Sequence, residues 1–127
     1  MDVKSREEII KFAQKLNSTN LSPLRSGNIS LKAQNNNEEG FLITPSGKKY
    51  DSLKADDIVF VSLEGRYDEK GLQPSSEWRF HKDIYLKKAN AKAVVHAHSP
   101  HATAVSAHNK DIPAFHYMIA LAGGDNI

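Results

Sequence analysis

The sequence predicts a layered α/β domain built on a largely antiparallel or mixed sheet. Three observations lead there. Stretches with helical spacing alternate with four short apolar runs that read as strands. One polar turn joins two of those runs as a hairpin. The 127 residues suit a single domain, taken here as residues 1–127.

The elements follow in chain order. Ser5-Arg6-Glu7-Glu8 fits a capping box, with Ser5 as N-cap and Glu8 reaching back. Ile9, Phe12, Ala13 and Leu16 continue at helical spacing, which predicts an amphipathic helix over 6–17. Residues 17–26 read as loop. Ile29 to Ala33 and Phe41 to Thr44 read as strands around the polar stretch Asn35-Asn36-Asn37-Glu38-Glu39-Gly40. Ile58 to Val61 is a short strand, and residues 65–75 are loop. Residues 77–88 return to helical spacing, with Trp78, Ile84 and Tyr85 near one face. Ala93 to His98 is a strand whose apolar lead-in places its histidines at the inner end of a buried element. Ser99-Pro100 opens another helix as N-cap and first helical residue. Asn109 to Pro113 closes it, and Gly123 to Ile127 reads as a turn.

Composition narrows the function. Charged residues make up 25% and apolar residues 39%, ordinary for a globular protein. No segment approaches the ~20 apolar residues of a membrane span. The start, Met1 to Glu8, is too acidic and polar for a secretory signal, so a cytoplasmic enzyme is expected. The absence of cysteine excludes disulfides and thiolate metal sites. The net charge is +2 with Lys and Arg scattered, so no nucleic-acid stripe is visible; an anionic small substrate fits equally well.

His96-Ala97-His98 is the first chemical signal. On a strand, residues i and i+2 face the same way, so two imidazoles can chelate one metal ion. A catalytic zinc site wants three protein ligands and one open position. A solvated histidine pair is the bland alternative. Pro74-Ser75-Ser76-Glu77 sets two hydroxyls before a helix start, where free N–H groups favour an anion; an ordinary N-cap explains the same residues. Gly27-Asn28 and Thr44-Pro45-Ser46-Gly47 are small loops at strand ends that let backbone amides approach an anion, or are simply turns. His81, His101, His108 and His116 read as surface or core histidines, and Tyr117 as a core or interface aromatic.

Taken in order, Gly27-Asn28-Ile29-Ser30, Ile43-Thr44-Pro45-Ser46-Gly47, Pro74-Ser75-Ser76-Glu77-Trp78 and Val94-Val95-His96-Ala97-His98 resemble the successive motifs of the class II aldolase/adducin family. The order and spacing match along nearly the whole chain. Ile112 to Ala120 and Gly123-Gly124 are similar to its fuculose-phosphate aldolase branch. The resemblance implies a three-layer α/β domain with a mainly antiparallel sheet flanked by helices, assembled as a homotetramer with active sites at subunit interfaces. It implies that Asn28, Ser46, Gly47, Ser75 and Ser76 hold a substrate phosphate. His96 and His98 would bind one Zn2+ per subunit. Glu77 would be the catalytic acid/base and would also touch the metal in the empty site. Tyr117 would serve a neighbour's site as proton donor. The implied reaction is reversible cleavage of a ketose 1-phosphate, such as L-fuculose 1-phosphate, into dihydroxyacetone phosphate and an aldehyde.

Two departures stand out. Leu24-Arg25-Ser26 occupies a place where aldolases of this branch usually carry small residues and a threonine; Arg25 either adds a phosphate contact or obstructs the site. The third zinc histidine that the resemblance implies belongs to a C-terminal portion absent from this sequence, so a fragment or a shortened form is expected. Three other readings share the pattern. A phosphopentulose 4-epimerase usually carries Asp at position 77, an adducin-like interaction module tends to lose the histidines, and a metal-independent anion-binding protein would need phosphate affinity without zinc.

Overall fold

A computed structural model describes residues 3–124. A four-stranded antiparallel sheet, in the order β3-β2-β1-β4, lies between helices. The strands are β1 (Asn28–Asn35), β2 (Glu38–Ile43), β3 (Val59–Ser62) and β4 (Ala93–His96). The helices are α1 (Val3–Ser18), α2 (Trp78–Lys87) and α3 (Pro100–Ala107). A 3₁₀ segment, Tyr117–Ala122, follows. Asp125 to Ile127, the end of the expected last turn, lie outside the described residues.

The sheet separates two apolar clusters because alternate residues of a strand face opposite sides. On one side Ile9, Ala13 and Leu16 of α1 pack against Ile29, Leu42, Tyr50 and Ile58. On the other, Phe41, Ile43, Val59 and Val61 pack against Trp78 and Tyr85 of α2. Helix, sheet and helix therefore form the three expected layers. Each fully buried large side chain, such as Phe41 or Ile9, contributes roughly 2 kcal/mol.

The hairpin is tighter than the sequence suggests. β1 and β2 pair up to Asn35 opposite Glu38, leaving Asn36-Asn37 as a two-residue turn. Both turn residues have positive φ, 47° and 67°, which asparagine tolerates and a type I′ turn requires. Gly40 is therefore not a turn residue. It lies within β2, where a Cβ would come within 2.3 Å of the Val61 carbonyl oxygen on β3. Close approach of two strands explains that glycine.

Three other expectations change. α1 starts at Val3, so Ser5 lies inside the helix rather than at its cap. Arg6 is drawn into the interior, where its guanidinium donates to the carbonyls of Ala55 and Ile58. On α2 the buried stripe is Trp78, His81 and Tyr85, with His81 buried and Ile84 half-exposed. β4 ends at His96 and pairs with β1 alone among the described residues, so it is an edge rather than a buried strand, with Val95 59% exposed. α3 begins as expected: the Ser99 hydroxyl accepts from Ala102 N–H, with Pro100 at the first turn.

Candidate functional site

The chemistry collects at one end of the sheet, where β1 begins, β2 and β4 end, and α2 starts. Gly27 makes this convergence possible. A Cβ there would lie 2.7 Å from the His96 carbonyl oxygen and 2.9 Å from Ser22 Oγ, so only glycine lets the loop press against β4. The Tyr50 hydroxyl donates to the Gly27 carbonyl from beneath. Its pKa is pushed up to about 12, by burial first and then by the negative charge of Glu77. Tyr50 is therefore a fixed neutral donor at working pH.

His98 lies just beyond β4, yet the two histidines converge as the spacing predicts. His96 Nε2 and His98 Nε2 are 2.8 Å apart, with their rings nearly perpendicular at 88°. The His98 backbone N–H donates to Ser22 Oγ at 3.0 Å, which ties the pair to the loop before Gly27. Glu77 Oε2 is 3.4 Å from His96 Nε2. One donor atom from each of Glu77, His96 and His98 lies within 4.8 Å of the others. A tetrahedral zinc with ligand bonds of ~2.0–2.1 Å sets its donors about 3.3 Å apart. A carboxylate and two imidazole nitrogens at this spacing therefore fit one divalent ion, which would replace the proton shared between the imidazoles. This is the sole such cluster among the described residues.

Beside it lies a cleft of about 290 Å³. Its walls are the loops that the sequence singled out. Ser46 N–H donates to the Gln73 carbonyl at 2.9 Å and Ser75 N–H to the Thr44 carbonyl at 3.0 Å, stitching the Thr44–Gly47 and Gln73–Glu77 loops together. Gly47 has φ 74° with open space at its Cβ position, so the backbone there faces the cleft uncovered. Asn28, Ser46, Gly47, Ser75 and Ser76 all line it, with Glu77 and His98 at the metal end. Arg25 lines it too and donates to the Gly47 carbonyl. It does not close the cleft, and among the described residues it is the one arginine or lysine on its wall.

One feature went unread in the sequence. His81 is fully buried, with Nδ1 2.7 Å from Ser30 Oγ and Nε2 on Asn28 Oδ1. Its pKa is lowered to about 4, chiefly by burial and secondly by the charge of His96. Asn28 in turn donates from Nδ2 to Glu77 Oε2 at 2.6 Å. The sequence signal was present, since Glu77, His81 and Tyr85 recur every four residues on one helix face, but a lone histidine on such a face reads as core. Tyr117 is the one candidate set apart. It is 76% exposed at the start of the 3₁₀ segment and stacks on His116 with ring centroids 4.4 Å apart.

Fold and cleft together define an α/β domain in which a three-donor cluster that could hold a metal ion lies beside a hydroxyl-lined cleft. The chain belongs to the class II aldolase and adducin family: residues 7–127 match the family described as Class II Aldolase and Adducin N-terminal domain. It is 44% identical over 124 residues to the L-fuculose phosphate aldolase of Escherichia coli K12, covering 98% of this chain and 55% of that one. It is 42% identical over 122 residues to a 5-methylthioribulose-1-phosphate/5-deoxyribulose-1-phosphate aldolase of Rhodospirillum rubrum, covering 96% and 53%. Among solved structures, an L-fuculose 1-phosphate aldolase superposes with a TM-score of 0.86 at 34% identity, covering 100% of this chain and 58% of that one. The chain thus spans about half the length of the curated relatives it matches.

Proposed function

We propose that this chain carries the metal- and phosphate-binding part of a zinc-dependent sugar-phosphate aldolase of the cytoplasm. Its reaction is the reversible cleavage of L-fuculose 1-phosphate or a similar ketose 1-phosphate to dihydroxyacetone phosphate and an aldehyde. The observation that carries this reading is that Glu77 and His98 belong at once to the three-donor cluster and to the wall of the anion cleft. A phosphate held in the cleft sets the carbon chain of the substrate towards the donors.

His96 and His98 would hold the zinc, whose contribution when bound is to draw electron density from the substrate oxygens as a Lewis acid. The hydroxyls of Ser46, Ser75 and Ser76, with the backbone amides of Gly47 and Ser76, grip the phosphate and orient the reacting carbons. In the condensation direction Glu77 Oε2 takes the proton from the carbon next to the carbonyl of dihydroxyacetone phosphate. In cleavage Glu77 returns it. With Glu77 serving as base, His96 and His98 alone would hold the zinc, so a third ligand would have to come from beyond residues 1–127. Tyr117, exposed and away from its own cluster, would enter a neighbouring subunit's site of a homotetramer and donate a proton to the aldehyde oxygen. Glu77 rather than Asp favours aldol cleavage over 4-epimerisation, and the intact His96–His98 pair favours an enzyme over an interaction module.

Residues 1–127 alone should be a poor aldolase, so the test is release of dihydroxyacetone phosphate from L-fuculose 1-phosphate and 5-deoxyribulose 1-phosphate by a C-terminally extended polypeptide, with and without a chelator. Cleavage of either that stops on chelation and returns with zinc supports the proposal. Cleavage of neither, or cleavage indifferent to chelator, contradicts it.

A further inference from the structure

We propose that Asn28 and His81 form a positioning pair that aims the Glu77 carboxylate, through a chain of hydrogen bonds that runs in one direction from Tyr85. The proposal builds on the reading of Glu77 as the proton acceptor. Tyr85 OH lies 2.8 Å from Ser30 Oγ, and Ser30 Oγ lies 2.7 Å from His81 Nδ1. His81 Nε2 meets Asn28 Oδ1, and Asn28 Nδ2 meets Glu77 Oε2 at 2.6 Å.

Chemistry fixes the direction. An ionised carboxylate only accepts, so Asn28 must present its NH₂ to Glu77. The Asn28 carbonyl oxygen then faces His81, which must donate from Nε2. A neutral imidazole with its proton on Nε2 accepts at Nδ1, so Ser30 donates to it. The Ser30 oxygen is left to accept from Tyr85. Flipping the Asn28 amide would set its oxygen against the carboxylate, two acceptors face to face. The arrangement is therefore single-valued from hydroxyl to carboxylate.

Two periodicities build it. Asn28 and Ser30 share one face of β1, while Glu77, His81 and Tyr85 share one face of α2. Asn28, Ser30, His81 and Tyr85 are all buried, so water cannot take the place of a missing link. The His81 ring is held by Phe80, with centroids 4.5 Å apart, and by Phe41 stacked at 6.5 Å. The Glu77 carboxylate meets Asn28 Nδ2 at 2.6 Å and His96 Nε2 at 3.4 Å. Glu77 sits at the N-cap of α2 with no side-chain capping bond, so Asn28 sets its direction. The Asn28 side chain is thus engaged with the base on one side and with His81 on the other.

Two substitutions at His81 separate positioning from mere packing. The amide nitrogen of Gln reaches roughly where Nε2 sits, and that of Asn roughly where Nδ1 sits. His81→Gln should keep the donation to Asn28 and hold kcat within about 5-fold of the parent. His81→Asn should lose it and lower kcat by ~10- to 100-fold with KM nearly unchanged, as for other partners that orient a reacting group. Equal losses in both variants would overturn the proposal. Nitrogen NMR of the metal-free parent protein decides independently of turnover. The expected result is a His81 ring protonated at Nε2, with the Asn28 NH₂ resonance shifting in Glu77→Gln. A ring protonated at Nδ1, or an Asn28 resonance indifferent to Glu77→Gln, would refute the pair even if the protein proves to be no aldolase. Conversely, the expected spectra without any cleavage would leave the pair standing and remove the aldolase reading.

Discussion

Lowering the pH should destabilise this domain well above the range in which carboxylates titrate, because of one imidazole. His81 is fully buried and its pKa is lowered from 6.5 to about 4, by burial first and by the charge of His96 second. Protons therefore bind the unfolded chain before they bind the folded one. The stability this provides is present above pH ~6.5 and is lost as pH falls towards about 4. Linkage between those two values removes about 2 kcal/mol by about pH 5 and about 3 kcal/mol by about pH 4. That is a large fraction of the ~5–15 kcal/mol that holds a typical domain. The assay is urea unfolding of metal-free protein at a series of pH values, for the parent chain and for His81→Gln. The variant carries no titrating group at this position, so the difference between the two stability curves isolates His81. The parent should lose stability relative to the variant between pH 7 and 5. Parallel curves over that interval would refute the reasoning.

Other outcomes follow from the site geometry. Glu77→Gln should lower turnover by ~10²–10⁴-fold, the usual contribution of a positioned acid–base group, while a phosphate titration shows affinity within about 2-fold of the parent. Gly27→Ala should destabilise the fold by ~1–3 kcal/mol in thermal or urea unfolding, since the added methyl meets the His96 carbonyl oxygen at 2.7 Å. It should also weaken metal binding, because β4 must move to accommodate it. Arg25→Gln should weaken inorganic phosphate binding by about 10-fold, a charge-assisted bond's worth; unchanged or tighter binding would show that Arg25 tethers Gly47 without meeting the anion.

The residues that the structure gathers at the candidate site were legible in the sequence because they signal through local chemistry. Hydroxyl-rich loops at strand ends and a histidine pair at i, i+2 carry their meaning within a few residues, and the structure gathers both into one place. The three layers were legible as well, since alternation along β2 sends Phe41 and Ile43 to one side and Leu42 to the other. What stayed hidden depends on contacts distant in sequence. Gly40 looked like a turn because its reason is Val61 of β3, which lies well beyond the turn in sequence. The burial of Arg6 had no local signal because its acceptors, Ala55 and Ile58, lie about 50 residues on. His81 looked like an ordinary core histidine because its partners, Asn28 and Ser30, sit on another element. The exposure of β4 was also unreadable, since an apolar run such as Val94-Val95 looks the same at a sheet's edge and at its centre.

The most direct test of the account is metal stoichiometry. Purified protein is stripped with a chelator, titrated with zinc, and compared with His96→Ala and His98→Ala. The account predicts one zinc per subunit in the parent chain and affinity at least ~100-fold weaker in each variant, since removing one imidazole leaves too few donors. Zinc bound at full occupancy and undiminished affinity by His98→Ala would contradict the claim that Glu77, His96 and His98 form the centre of this site.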